Sequence, residues 1–234
     1  MNFAAVVPVS MLNQIQTDEY HLVVAPVCSD QEYFNFYVHM KGHIILDNGV
    51  AEGKTIPSED LLQLAYAIGA DEVIAPDVYN DMERTLIQLK EFMPMAQNYD
   101  VMVVLHAMSW NGFDRILKAS IQKGVAALAL PRVMTTSLGG RARLMAAERI
   151  RKTTDLPIHA LGSTMWLTEG IDLARQGIVR GMDSSAPVVL GLEGQHLSIP
   201  YSGLRPPGYF YLPPTPQATR NLNEYRHMIQ RATK

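Results

Sequence analysis

The sequence predicts an α/β chain folded as one (β/α)8 TIM-type barrel, on three observations. Short apolar runs recur along the chain, stretches of helical spacing separate them, and glycines stand where helices give way to strands. The runs are Leu22 to Val27, Ile44 to Leu46, Glu72 to Ala75, Val101 to Leu105, Val125 to Leu130, Pro157 to Leu161 and Ile178 to Met182. They are continuous rather than alternating, which is the pattern of parallel strands covered on both faces. An eighth strand is expected from residues 3–8 or from residues 187–190. At 234 residues and 47% hydrophobic content the chain can bury a full core, and this length suits a single domain spanning 1–234. A barrel is preferred to an open doubly wound sheet because no Gly-x-Gly-x-x-Gly turn follows the first strand.

Between the strands, Leu61, Leu64, Ala65 and Ile68 fall on one helical face, as do Met82, Leu86, Leu89 and Met93. Ser58 before Glu59-Asp60, Asn80 with Glu83, and Thr168 with Glu169 mark helix starts. Gly69, Gly124 and Gly177 each precede a strand, where a helix-ending residue of positive φ belongs. From about residue 191 the texture changes to a Pro- and Tyr-rich wrapping segment, followed by an amphipathic helix from about Gln217 to Arg231 that buries Leu222, Tyr225 and Ile229. The aromatic side chains of that segment, Tyr201, Tyr209, Phe210 and Tyr211, are expected to pack over the barrel bottom rather than to stack on bases.

A net charge of -3 supplies no global field for a polyanion, so any nucleic-acid contact must come from a local patch. The single cysteine, Cys28, excludes an internal disulfide and a multi-thiolate zinc site, and no metal or cofactor is expected. Met1 to Ala5 carries no basic leader, and no apolar run approaches the roughly 18 residues of a membrane span. The expectation is a cytoplasmic chain without a membrane partner; a homo-oligomer stays open.

Side chains at the C-terminal ends of barrel strands converge on one mouth. Three acids take such places: Asp47 after Ile44-Ile45-Leu46, Asp77 after Val73-Ile74-Ala75-Pro76, and Asp183 after Val179-Arg180-Gly181-Met182. Taken singly, each is explained equally well as a cap on the next helix or turn. Clustered together, carboxylates repel, so one should hold its proton as an acid while another stays ionised as base or nucleophile. That division suits glycosidic chemistry, though spacing alone does not select purine exchange over sugar hydrolysis.

At these positions the sequence resembles the tRNA-guanine transglycosylases and their relatives that place 7-deazaguanines in DNA. Ile45-Leu46-Asp47-Asn48-Gly49 is similar to that family's Asp-Ser-Gly-Gly segment, and Ile74-Ala75-Pro76-Asp77 resembles its second base-recognition strand end. The stretch Gln176 to Pro187, with Asp183 at its centre, resembles the strand that carries the nucleophile. The ordered set covers residues 44–190. The resemblance implies a base-exchange glycosyltransferase in which Asp183 attacks C1′ of a guanosine unit and Asp47 moves the proton. Asp77 accepts from N1 and the exocyclic amine of guanine or 7-deazaguanine. Asn48 and Met182 would line the base site.

The sequence also departs from the family. His106 stands in Val104-Leu105-His106 where the family has glutamine; it can donate to the purine O6 only in a suitable protonation state. Leu130-Pro131-Arg132 replaces a Gly-Gly-Leu turn, placing Arg132 at the base. The zinc-binding cysteine cluster is missing, which favours DNA over tRNA as the polymer. A tRNA enzyme, a non-catalytic nucleic-acid-binding subunit, and an ordinary glycosidase or phosphate-binding barrel remain the alternatives. Arg141, Arg143, Arg149, Arg151 and Lys152 offer a local phosphate-binding patch, for which a solvated helix face is an equally good explanation.

Overall fold

The computed structural model of the chain describes residues 1–163 and 165–234. These residues form one sheet of eight parallel strands, β1 (Asn2–Ala5), β2 (Tyr20–Val24), β3 (His43–Asp47), β4 (Glu72–Ile74), β5 (Asp100–Val104), β6 (Ala127–Pro131), β7 (Ile158–Leu161) and β8 (Gly181–Ser184). Strands β2 to β8 pair in sequence order, β1 pairs with β8, and β1 then lies beside β2, so the sheet curls into a nearly closed barrel. The helices are α1 (Gln31–Val38), α2 (Ser58–Ile68), α3 (Met82–Phe92), α4 (Trp110–Gln122), α5 (Met134–Ser137), α6 (Ala142–Arg151), α7 (Thr168–Gln176), α8 (Ala186–Leu192) and α9 (Pro216–Ala232). No helix among the described residues is long and apolar enough to cross a membrane.

The eighth strand is the N-terminal one. Residues 187–190, the other candidate, lie within α8, where Pro187 stands in the first turn without needing a backbone donor. Strand β8 begins at Gly181, three residues later than the apolar run starting at Ile178, because its ladder with β7 opens at His159 opposite Gly181. Asp183 therefore sits inside β8 rather than beyond it. Gly69, Gly124 and Gly177 all take positive φ, at 65°, 74° and 69°, which costs glycine nothing and other residues a steric clash.

All three expected helix caps differ from expectation. Asp81, not Asn80, caps α3 by accepting from the Arg84 amide, while Asn80 takes a left-handed φ of 57° in the preceding turn. The buried face of α3 is Thr85, Leu89 and Phe92, with Met82, Leu86 and Met93 flanking it. At α2 and α7 the cap positions fall to Pro57 and Leu167, and neither helix start has a side-chain cap bond.

The C-terminal segment packs over the mouth of the barrel, not over its bottom. Tyr209 donates its hydroxyl to the Val6 carbonyl at 2.6 Å, just past β1, and the Tyr201 amide donates to the Met165 carbonyl, past β7, at 2.7 Å. Arg205 pairs with Glu52 past β3, and Arg132 past β6 donates to the Gly203 carbonyl. The segment is thus pinned to four strand ends and forms a partial roof. Helix α9 then returns along α7 and α8, burying Leu222, Tyr225 and Ile229 as expected. Its approach requires Gly191, since a Cβ there would lie 2.3 Å from the Ala218 Cα.

Candidate active site

Strand alternation turns every second side chain inward, so Leu22, Val24, Val104 and Leu161 wall a cavity of about 490 Å³ at the C-terminal end. Its volume is that of a small-molecule site. Asp47, Asp77 and Asp183 all open onto this cavity, together with Asn48, His106 and Arg132. Residues up to 136 positions apart in sequence are thereby brought to one rim, the spread from Asp47 to Asp183 being 183 − 47.

Asp183 is 8% exposed and firmly oriented. Its Oδ1 accepts from the Gly162 amide at 3.0 Å and lies 3.1 Å from Nε2 of His159. Oδ2 takes no hydrogen bond from the described residues. Behind His159, its Nδ1 is 2.8 Å from the Tyr20 hydroxyl. Asp77 is held on both oxygens: Asn48 Nδ2 donates to Oδ1 at 2.6 Å, and His106 Nε2 is 2.6 Å from Oδ2. Asn48 is itself fixed, because its amide also donates to the Ala75 carbonyl at 2.7 Å and its Oδ1 accepts from the Val50 amide at 3.0 Å. Each carboxylate oxygen has two acceptor positions, so Asp77 keeps capacity for a ligand's N–H groups. His106 spends Nε2 on Asp77, and its Nδ1 is buried without a partner.

Asp47 contrasts with both. Among the described residues only the Gly49 amide donates a hydrogen bond to it, at 3.4 Å. Burial and the nearby charges of Glu52, Asp183 and Asp77 push its carboxyl well above the usual carboxylate range. Glu52 is raised too, by burial and by Asp183, although its pairing with Arg205 works against this. A carboxyl group whose surroundings favour its protonated form thus faces a hydrogen-bonded carboxyl across the cavity, an arrangement that general-acid and nucleophile roles can use.

Three expectations need correction. Met182, proposed for the base site, is completely buried on the outer face of β8 against Tyr225 and Gly170, because alternation turns it away from Asp183. Arg143, proposed for phosphate binding, is 0% exposed; its fork grips both oxygens of Glu169, and Nη1 donates to the Leu161 and Gly162 carbonyls at 2.9 and 2.7 Å. Arg151 and Lys152 lie at the far end of α6, roughly 15 Å along a ten-residue helix from its start, and so away from the mouth. Arg149 stacks on Trp110 and bonds Asp114, while Arg151 reaches Asp155 and the Ile178 carbonyl before β8. Arg141 stands exposed ahead of α6, at the mouth-side start of the helix.

The residues that sequence reasoning missed are His159, Tyr20, Glu52 and Arg205. His159 carried a signal, as the one polar residue in Ile158-His159-Ala160-Leu161, whose inward phase follows from Leu161. Glu52 and Arg205 are separated by 153 residues and carried none. Among the described residues no cluster of three or more His, Cys, Asp or Glu side chains is placed to hold a metal ion. Neither a family model nor a curated protein matches this chain.

Proposed function

We propose that the chain is a base-exchange glycosyltransferase that replaces guanine in a nucleic acid, DNA in preference to tRNA, by a 7-deazaguanine. The observation that carries the reading is the convergence of three acids in one cavity: an oriented Asp183, an Asp47 whose burial and acidic neighbours favour its protonated form, and the framed Asp77. Asp77 receives the N1–H and exocyclic amine of the base, with Asn48 and His106 holding it in position. Asp183 attacks C1′ through Oδ2, the C1′–N9 bond breaks, and its electron pair leaves with guanine as Asp47 gives up its proton to the departing base. The covalent ester between Asp183 and C1′ persists while guanine is exchanged for the deazaguanine. The incoming base returns a proton to Asp47, and its N9 attacks C1′ and releases Asp183. Two displacements restore the original configuration at C1′.

DNA is preferred because the single Cys28 cannot build the zinc subdomain of the tRNA enzymes. With Arg143 buried and the end of α6 remote, phosphate contacts fall to Arg141 and to the guanidinium group of Arg132 at the rim.

The test is to incubate the protein with guanine-containing DNA or with tRNA and follow uptake of labelled 7-deazaguanine, together with the covalent adduct on denaturing gels. DNA labelling and an adduct are expected from the wild-type chain, with a loss of about 10³-fold or more in Asp183→Asn. Asp77→Ala is expected to weaken base binding while leaving the chain folded. Labelling confined to tRNA overturns the choice of polymer, and near-normal turnover in Asp183→Asn overturns the nucleophile.

A further inference from the structure

The interior of a barrel of this type is ordinarily filled by layers of apolar side chains. Here a line of polar groups runs through it. Glu72 opens β4 and Tyr20 opens β2, both at the end of the barrel remote from the mouth; His159 stands in the middle and Asp183 at the mouth. Arg180 binds Glu72 with two hydrogen bonds, the Nη2 one at 2.7 Å, and its guanidinium lies 5.8 Å from the centroid of the Tyr20 ring. Tyr20 reaches His159 at 2.8 Å, and His159 reaches Asp183 at 3.1 Å. Tyr20 is 5% exposed and His159 is 0% exposed. The chain makes room for this line: a Cβ on Gly181 would lie 2.6 Å from three atoms of the Tyr20 ring and hydroxyl.

We infer that Tyr20 and His159 form a positioning relay that fixes the attacking carboxylate of Asp183, an inference that rests on the reading of Asp183 as the nucleophile. An ionised carboxylate only accepts, so Nε2 of His159 must carry a hydrogen and donate it to Oδ1. The neutral ring then has a lone pair at Nδ1, which the Tyr20 hydroxyl fills by donating to it. Burial holds the Tyr20 phenol above its ordinary value, so it keeps the proton it donates. Each donor therefore points toward the mouth, and the tautomer of His159 is held from both sides, by Asp183 above and Tyr20 below. Together with the Gly162 amide, the relay occupies Oδ1 and leaves Oδ2 for attack. The groups that face His159 or act on it through Tyr20 are Asp183 from β8, Arg180 just before it, Tyr20 from β2, Glu72 from β4, and His43 from β3, stacked on the Tyr20 ring at 5.4 Å.

The relay makes predictions that a merely structural pair would not. In Tyr20→Phe the neutral ring is free to carry its hydrogen on Nδ1, which turns a lone pair toward Asp183; uptake of a second proton at lower pH restores the Nε2 donor. Single-turnover adduct formation on a guanine-containing oligodeoxynucleotide is therefore expected to slow by about 10- to 100-fold at pH 8 and by much less near pH 5.5. The oligonucleotide concentration giving half-maximal rate should not change. His159→Gln, which keeps a donor that does not titrate, should retain more of the rate than His159→Leu and show no such pH dependence. Nitrogen-15 spectra of labelled histidines, with His159 assigned by its loss in His159→Gln, should show the Nε2–H tautomer at neutral pH in the wild-type chain and a mixture in Tyr20→Phe. An Nδ1–H tautomer in the wild type, or a Tyr20→Phe profile parallel to wild type at every pH, overturns the relay. If the wild type forms no adduct on DNA or tRNA, the transglycosylase reading falls while the spectra still decide the tautomer lock.

Discussion

Asp47 shows how one carboxyl group is set to its task at the cost of stability. Burial and the charges of Glu52, Asp183 and Asp77 raise its pKa in the folded chain, whereas in the unfolded chain it ionises near its ordinary value. A raised folded pKa gives stability that is fully present below the unfolded value and is lost as pH rises through the folded one. Asp47→Asn removes that loss. We expect its melting temperature at pH 7 to exceed that of the wild type by about 2–4 °C, with the gap closing near pH 4, while base exchange disappears. A variant that melts below the wild type at pH 7 by a similar margin contradicts this. The three acids, Asn48 and His106 were readable from sequence because each is a polar residue ending an apolar run. Tyr20 was not, and His159 showed only as the one polar residue of its strand, since their role depends on which face of a short strand points inward and on what stands across the barrel.

Helix α6 carries the lesson at the next scale. A run of cations on an amphipathic helix reads as one surface, yet the helix points its residues in every direction and spans the height of the barrel. Arg143 faces inward, where it pairs with Glu169 of α7 and grips the two carbonyls that precede Ser163. The clamp holds the loop whose Gly162 amide binds Asp183. Removing one member of a buried ion pair leaves the other uncompensated, so Arg143→Met is expected to lower the free energy of unfolding in urea by about 3–5 kcal/mol. A change below about 1 kcal/mol would reduce the clamp to an ordinary surface pair. The strand runs and the helical faces of α2, α3 and α9 were legible, whereas residues 187–190, offered as a strand, lie in α8, and other errors fell at ends, as at Asn80 and Asp81, where two adjacent residues compete for one cap.

For the whole molecule, the C-terminal segment decides what the mouth is. Expected below the barrel, it crosses above it and contributes Tyr201, Arg205 and Tyr209 to the cavity wall. Arg205 offsets the charge of Glu52 next to Asp47 and anchors this roof to the turn after β3. Arg205→Ala is expected to raise the concentration of free base giving half-maximal exchange by about tenfold, the worth of one charged hydrogen bond. Equal half-saturation in the variant and the wild type would show that the roof takes no part in base binding.

By itself the sequence determined the repeating strand and helix pattern, the number of units, the glycine helix ends and the polar residues at strand ends. Each of these is written in residues adjacent along the chain, through period, backbone preference and the composition of a few neighbouring positions. Only the tertiary structure decided that the roof lies over the mouth, that Arg143 is a clamp, and that Tyr20 reaches His159 across 139 positions of sequence. Those outcomes depend on the curvature that closes the sheet and on which faces it turns together, and no short stretch of chain encodes either.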